Sequence, residues 1–238
     1  PSVGAASVVA EQGGAAPGGG SFKHFRAVSI NDAAEVAFHA KLASGEGVFA
    51  GPAGGVAKAA MTGDPSPGGG AFDVFPAVSR VNTVGDVAFT ARVGGGSNGV
   101  FLYDASATTV LPVALVNDVA LDGRQLCEFL DVGLGASGAV AVRAVTKVDC
   151  TSVIEPEVTG IYLKVGLSFD RVVLEGDATP TPVTTYTQFI GAPDVNAADK
   201  VLFRARAVGV AGGTGIFLHD PSGPSTIELV GTGAAAPM

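Results

Sequence analysis

The chain has 238 residues, 47% hydrophobic and 15% charged, with a net charge of −8. That balance supplies a core and excludes a long disordered acidic tail. The Lys and Arg residues are scattered singly, which excludes nucleic acid as a partner, since binding phosphates needs clustered cations. No stretch reaches 18 consecutive apolar residues, so the sequence predicts no membrane-spanning helix.

The sequence starts at Pro1 without an initiator Met and reads as a processed or excised form. A short β-prone run, Ser7-Val8-Val9-Ala10, leads into the turn-rich segment Gly13-Gly14-Ala15-Ala16-Pro17-Gly18-Gly19-Gly20. From there the sequence repeats itself four times. Each unit carries an aromatic anchor at Phe25, Phe75, Phe129 or Phe189. A turn follows, Asn31-x-x-Ala34, Asn82-x-x-Gly85, Gly135-x-x-Gly138 or Asn196-x-x-Asp199. Then comes an alternating strand ending in Phe38-x-Ala40, Phe89-x-Ala91, Val142-x-Ala144 or Phe203-x-Ala205. A Gly-apolar-aromatic triplet closes the pattern at Gly47-Val48-Phe49, Gly99-Val100-Phe101, Gly160-Ile161-Tyr162 and Gly215-Ile216-Phe217. The turns recur every 50 to 60 residues or so, a period that suits propeller blades.

Each unit therefore reads as four short strands. In the second unit these run through Phe75–Ser79, Asp86–Val93, Val100–Tyr103 and Thr109–Val116. The fourth-strand signature recurs at Val56–Ala60, Val172–Leu174 and Ile227–Val230, and the N-terminal Ser7–Ala10 is a fifth copy. The expected fold is all-β: a β-propeller-like array of four four-stranded antiparallel blades with a surplus N-terminal strand. It is read as a single domain over 1–238, with the N-terminal strand in 1–20 and units at about 21–70, 71–126, 127–189 and 190–238. An unpaired strand has free backbone groups, so Ser7, Val8, Val9 and Ala10 are the candidate assembly strand for pairing with another subunit.

The units Asn31–Phe49 and Asn82–Phe101 resemble those of secreted bacterial tandem-repeat proteins built on N-x-x-G-x-h-A-F-x-A. The third and fourth copies depart from that pattern at Gly135, Val142 and Asp199. The resemblance implies export and a propeller-like architecture, with no assigned catalytic residues.

Cys127 and Cys150 are the only cysteines. The turn at Gly135–Gly138 brings them to the same open end of a hairpin, so a disulfide closing the loop 147–159 is expected, the alternative being two separate small core residues. No His lies close in sequence to either, which disfavours a metal site. His24, His39 and His219 occupy different repeat positions, and each is expected at the surface. The run Gly133-Leu134-Gly135-Ala136-Ser137-Gly138 matches G-x-G-x-x-G, but a strand-like Ala139-Val140-Ala141-Val142 follows where a phosphate loop needs a helix. Asp64, Asp118 and Asp177 recur after the fourth strands and read as turn formers in preference to a calcium rim. The repeated aromatics read as packing between blades. Thr179–Thr187, rich in Pro and Thr, reads as an exposed loop of the kind that carries O-linked sugar.

No motif identifies a reaction, and neither a cofactor nor a metal is implied. The expected function is that of a non-enzymatic secreted structural protein, extracellular or at the cell surface, a subunit of an extracellular filament or surface assembly that self-associates into a homopolymer by strand addition. The alternative is a propeller module that binds a glycan or another ligand.

Overall fold

The computed structural model describes residues 7–78, 80–180, 184–208, 213–223 and 225–231. All regular structure among them is β, in four antiparallel meander sheets. The first holds β1 (Phe22–Ile30), β2 (Glu35–Leu42), β3 (Glu46–Pro52) and β4 (Ala57–Met61). The second holds β5 (Phe72–Val78), β6 (Val87–Val93), β7 (Ser97–Asp104) and β8 (Thr109–Leu115). The third holds β9 (Gln125–Leu134), β10 (Val140–Lys147), β11 (Val158–Val165) and β12 (Ser168–Leu174). In the fourth, β13 (Thr185–Phe189) and β14 (Asp194–Val195) both pair with β15 (Val201–Val208), and β16 (Thr214–Asp220) and β17 (Ser225–Gly231) complete it. The expected array of four-stranded blades is present. The fourth unit begins earlier than the sequence reading placed it, because β13 bonds β15 and so belongs to the fourth sheet. The chain divides into two compact units, Pro1–Val113 and Ala114–Met238.

The turn between the first two strands explains the Asn-x-x-Gly spacing. Asn31 Oδ1 accepts from the backbone N–H of Ala33 and Glu35, and Asn82 Oδ1 does the same for Val84 and Asp86. Asn196 Oδ1 repeats this with Ala198 and Lys200. The fourth turn residue is left-handed in every unit: Ala34 (φ 61°), Gly85 (89°), Gly138 (87°) and Asp199 (58°). Glycine adopts that conformation freely, whereas Ala34 and Asp199 do so at a steric cost.

Each sheet concentrates large side chains on one face. In the first, Phe22, Phe25, Phe38 and Phe49 form a quartet with centroid separations of 5.1 to 5.8 Å. Phe72, Phe75, Phe89 and Phe101 repeat it in the second sheet, and Tyr186, Phe189, Phe203 and Phe217 in the fourth. The third sheet has Leu126, Phe129, Val142 and Tyr162 at these positions, all buried. The triplet glycine belongs to this arrangement. A Cβ at Gly47 would meet the Phe49 ring at 3.2 Å, and one at Gly215 the Phe217 ring at 2.9 Å. The aromatic two residues on folds back over the glycine, and only a missing side chain leaves it room.

The N-terminal copy forms its connector but not its strand. Gly13 N–H donates to the Phe22 carbonyl as Gly63 N–H does to Phe72, and the bridges Ala15–Ser21 and Pro65–Ala71 match. Ser7–Ala10 lie outside every sheet, whereas the equivalent β4 bonds β3. Val9 and Ala10 instead pack against the aromatic cluster of the first sheet.

Candidate interaction surfaces

The residue between the aromatic and the alanine of each F-x-A motif points away from the aromatic face. In the first unit it is His39, which lies 6.4 Å from the Phe75 ring of the second sheet and is buried. The surface position expected for His39 is therefore incorrect, because stacking of consecutive sheets buries both faces. His219 is also buried, with Nδ1 3.2 Å from Thr226 Oγ1, and only His24 is exposed as expected.

His39 sits in a buried polar cluster. Its Nε2 is 3.5 Å from Glu46 Oε2, a charge contact without hydrogen-bond geometry, and Lys41 Nζ is 3.1 Å from the same oxygen. Glu46 Oε1 accepts from Phe75 N–H at 2.8 Å, next to a register shift in β5, and thereby satisfies a backbone donor of the neighbouring sheet. Burial holds the His39 imidazole below its ordinary value, against the opposing pull of Glu46. Burial alone would raise the Glu46 carboxyl. The Phe75 N–H bond and the Lys41 charge outweigh it and hold the group low. The cluster fastens two sheets together.

The equivalent residue in the third unit is Arg143. It pairs with Asp131 and donates from Nη1 to the Phe189 carbonyl of the fourth sheet at 3.2 Å. The aromatic face of the fourth sheet lies against Ala139, Ala141, Ile161, Leu163 and Val173 of the third. Here the G-x-G-x-x-G run finds its explanation. A Cβ at Gly133 would collide with the Pro193 carbonyl, and one at Gly135 would come 2.9 Å from Val195 Cγ1. These glycines permit close approach of two sheets, and β10 follows them.

The fourth sheet departs from this pattern. Directly opposed residues on adjacent strands share a face. In the first sheet the cross-strand triplet His39–Val48–Ala60 is buried, at 5%, 0% and 1% exposure. In the third, Ile161 and Val173 of the triplet Arg143–Ile161–Val173 are 1% and 3% exposed. In the fourth, the triplet is Arg204–Ile216–Val230. Arg204 is exposed, Ile216 is 39% exposed and Val230 45%. Ile227 (50%) and Arg206 extend this open face.

A second exposed feature is the β10–β11 loop, residues 148–157. Cys150 in the loop is bonded to Cys127 in β9, with Cα atoms 5.4 Å apart, so the expected disulfide is present. Disulfides persist in oxidising compartments, which fits a non-cytoplasmic location. The loop presents Val153 and Ile154 at 95% and 92% exposure.

The other sequence candidates resolve as structural. Asp64, Asp118 and Asp177 each accept at 2.8 Å from the backbone N–H three residues earlier, on Met61, Leu115 and Leu174. They form turns, and no group of three or more metal-ligating side chains occurs among the described residues. The repeated aromatics are core. Of the Thr179–Thr187 segment, 181–183 lie outside the described residues. Thr179 and Thr184 are buried and their hydroxyls bond each other, and Thr185–Phe189 is strand, so among the described residues only Pro180 fits the exposed loop expected. A cavity of about 420 Å³ lies beside the N-terminal segment, with Val8, Val9, Ala10, Glu11, Phe22 and Val56 in its lining. No helix among the described residues is long and apolar enough to cross a membrane.

Among solved structures, the chain is similar to TolB from Acinetobacter baumannii at a TM-score of 0.52 and 14% identity, over 87% of this chain and 43% of that one. It thus spans less than half the length of TolB, and the likeness is one of fold. Lower TM-scores relate it to a protein of unknown function from Dyadobacter fermentans (0.43, 9% identity, 84% of this chain and 66% of that one). The β-propeller domain of the Trilobed protease from Pyrococcus furiosus gives 0.29 and 8% identity, over 89% of this chain and 86% of that one. No curated protein matches the sequence. The DUF7453 family, described as a family of unknown function, matches twice, over residues 1–108 and 53–238, with starts about one repeat apart. The chain belongs to the DUF7453 family.

Proposed function

We propose that this protein is a non-enzymatic structural module that self-associates through the open face of its fourth sheet. One observation carries the reading. The cross-strand triplet that the next sheet covers in the first and third units is uncovered in the fourth, where Ile216 and Val230 are 39% and 45% exposed. Apolar side chains on a sheet face gain roughly 25 cal/mol for each Å² removed from water, so a second copy covering them is stabilised by the same force that joins the sheets. The disulfide and the resemblance to secreted repeat proteins support a location outside the cytoplasm, at the cell surface.

This reading keeps self-association and changes its route. Strand addition by Ser7, Val8, Val9 and Ala10 would require that segment to leave the first sheet, against which Val9 and Ala10 pack. Glycan binding has less support: the repeated aromatics that would stack on sugar rings are buried in the quartets. Negative-stain electron microscopy of the purified chain tests the proposal. Polymers that vanish in Ile216→Asp support it, and single particles in the parent protein at every concentration overturn it.

A further inference from the structure

The β10–β11 loop breaks the repeat. The corresponding connections span residues 43–45 in the first sheet and 94–96 in the second, with Ser44-Gly45 and Gly94-Gly95-Gly96. In the third sheet the connection runs from 148 to 157 and holds two adjacent aliphatic side chains almost wholly in water, Val153 and Ile154. Scattered exposed aliphatics need no explanation, but an adjacent pair on a braced protrusion does.

The bracing is extensive. The disulfide ties Cys150 to β9, and Cys150 N–H donates to Gln125 Oε1 at 2.9 Å. Glu155 accepts from the N–H groups of Val148 and Asp149, at 2.6 and 3.0 Å. Lys147 Nζ donates to the Ser152 carbonyl at 3.0 Å, and Asp149 Oδ1 accepts from Thr151. A loop fixed before it meets a partner gives up little conformational freedom on binding, which favours its use as an anchor.

We infer that the Val153–Ile154 finger of one copy docks on the open face of the fourth sheet of another. This rests on the self-association proposed above and names the occupant of that face. The chemistry of the two surfaces is complementary. The finger sets two aliphatic side chains among Asp149, Glu155 and Glu157, with Lys147 the one cation between 147 and 157. The open face sets Ile216, Ile227 and Val230 beside Arg204 and Arg206. The aromatic face of the first sheet is the other candidate occupant, but Phe22, Phe38 and Phe49 are already buried there. The contact must be between copies. The third sheet covers the aromatic side of the fourth, so a loop leaving the third sheet lies across the fourth sheet from its open face. A finger-to-face contact is heterologous and propagates into an open chain of subunits.

Composition-gradient light scattering on the purified chain tests this with four variants. Val153→Ser/Ile154→Ser alters only exposed side chains and should weaken self-association at least tenfold while leaving the thermal midpoint unchanged. Glu157→Arg and Arg206→Glu should each weaken it when alone, and an equimolar mixture of the two should regain association, because the opposed charges are then restored across the contact. Association unchanged in the Val153/Ile154 variant but lost in Ile216→Asp overturns the finger and leaves the open face standing. A parent protein that does not associate at all overturns both.

Discussion

The third and fourth sheets share a strand order, a register and an arginine at the same position, yet their outward faces have opposite fates. Arg143 and Ile161 lie under the next sheet, with the arginine bonded to Asp131 and to the Phe189 carbonyl. Arg204 is exposed and Ile216 is 39% exposed. The pairing on each side of them is the same, Arg143–Ile161–Val173 against Arg204–Ile216–Val230. Local sequence therefore builds both faces alike, and only what is placed over them differs. That a face built for cover is left open is the observation on which the proposed function rests.

The sharpest way to break the comparison is to put the same charge on both faces. Ile161→Asp buries a carboxylate among the apolar residues between two sheets and should cost about 4 kcal/mol or more, enough to unfold the unit that holds it. Ile216→Asp should shift urea unfolding by less than about 1 kcal/mol, since the side chain is partly solvated. Equal losses in the two variants would mean that the fourth face is covered in solution within a single chain.

A smaller effect is expected where a covered face is polar. Glu46→Ala removes the acceptor of Phe75 N–H and the counter-charge of Lys41 beside His39, and should cost about 2 to 4 kcal/mol by denaturant unfolding. Within the fourth sheet, Tyr186 carries a buried hydroxyl with no hydrogen-bond partner among the described residues, where the first and second sheets have Phe22 and Phe72. Tyr186→Phe should therefore stabilise the protein by about 1 kcal/mol, seen as a raised thermal midpoint. The smallest expected change is in pH response. His39 and His219 are both held below the ordinary imidazole value by burial, so the unfolded chain binds more protons once the pH falls below that value. Stability should fall as the pH is lowered from 7 to 5, and His39→Gln should reduce that fall. Identical slopes in parent and variant would remove His39 from the response.

Much of the fold was legible because the repeat encodes it in short-range chemistry. Period-two alternation marked the second strands, and Gly85 and Gly138 marked the left-handed turn corner, which Ala34 and Asp199 obscured in the other units. The Cys127–Cys150 bond followed from the hairpin that Gly135–Gly138 folds. The first residue of each quartet, at Phe22, Phe72, Leu126 and Tyr186, was missed although it recurs just after each connector and was open to discovery by aligning the units. The burial of His39 was not legible, since one strand's alternation predicts a wet face that only stacking makes dry. The open fourth face was hidden for the same reason: Arg204–Ile216–Val230 reads in sequence like its covered counterpart.

The most direct test is the mass of the protein in solution as a function of concentration, measured by sedimentation equilibrium. The account predicts an average mass that climbs from that of one 23.4 kDa chain toward multiples of it, and that stays flat in Ile216→Asp. A parent protein that remains at a single chain mass throughout would contradict it.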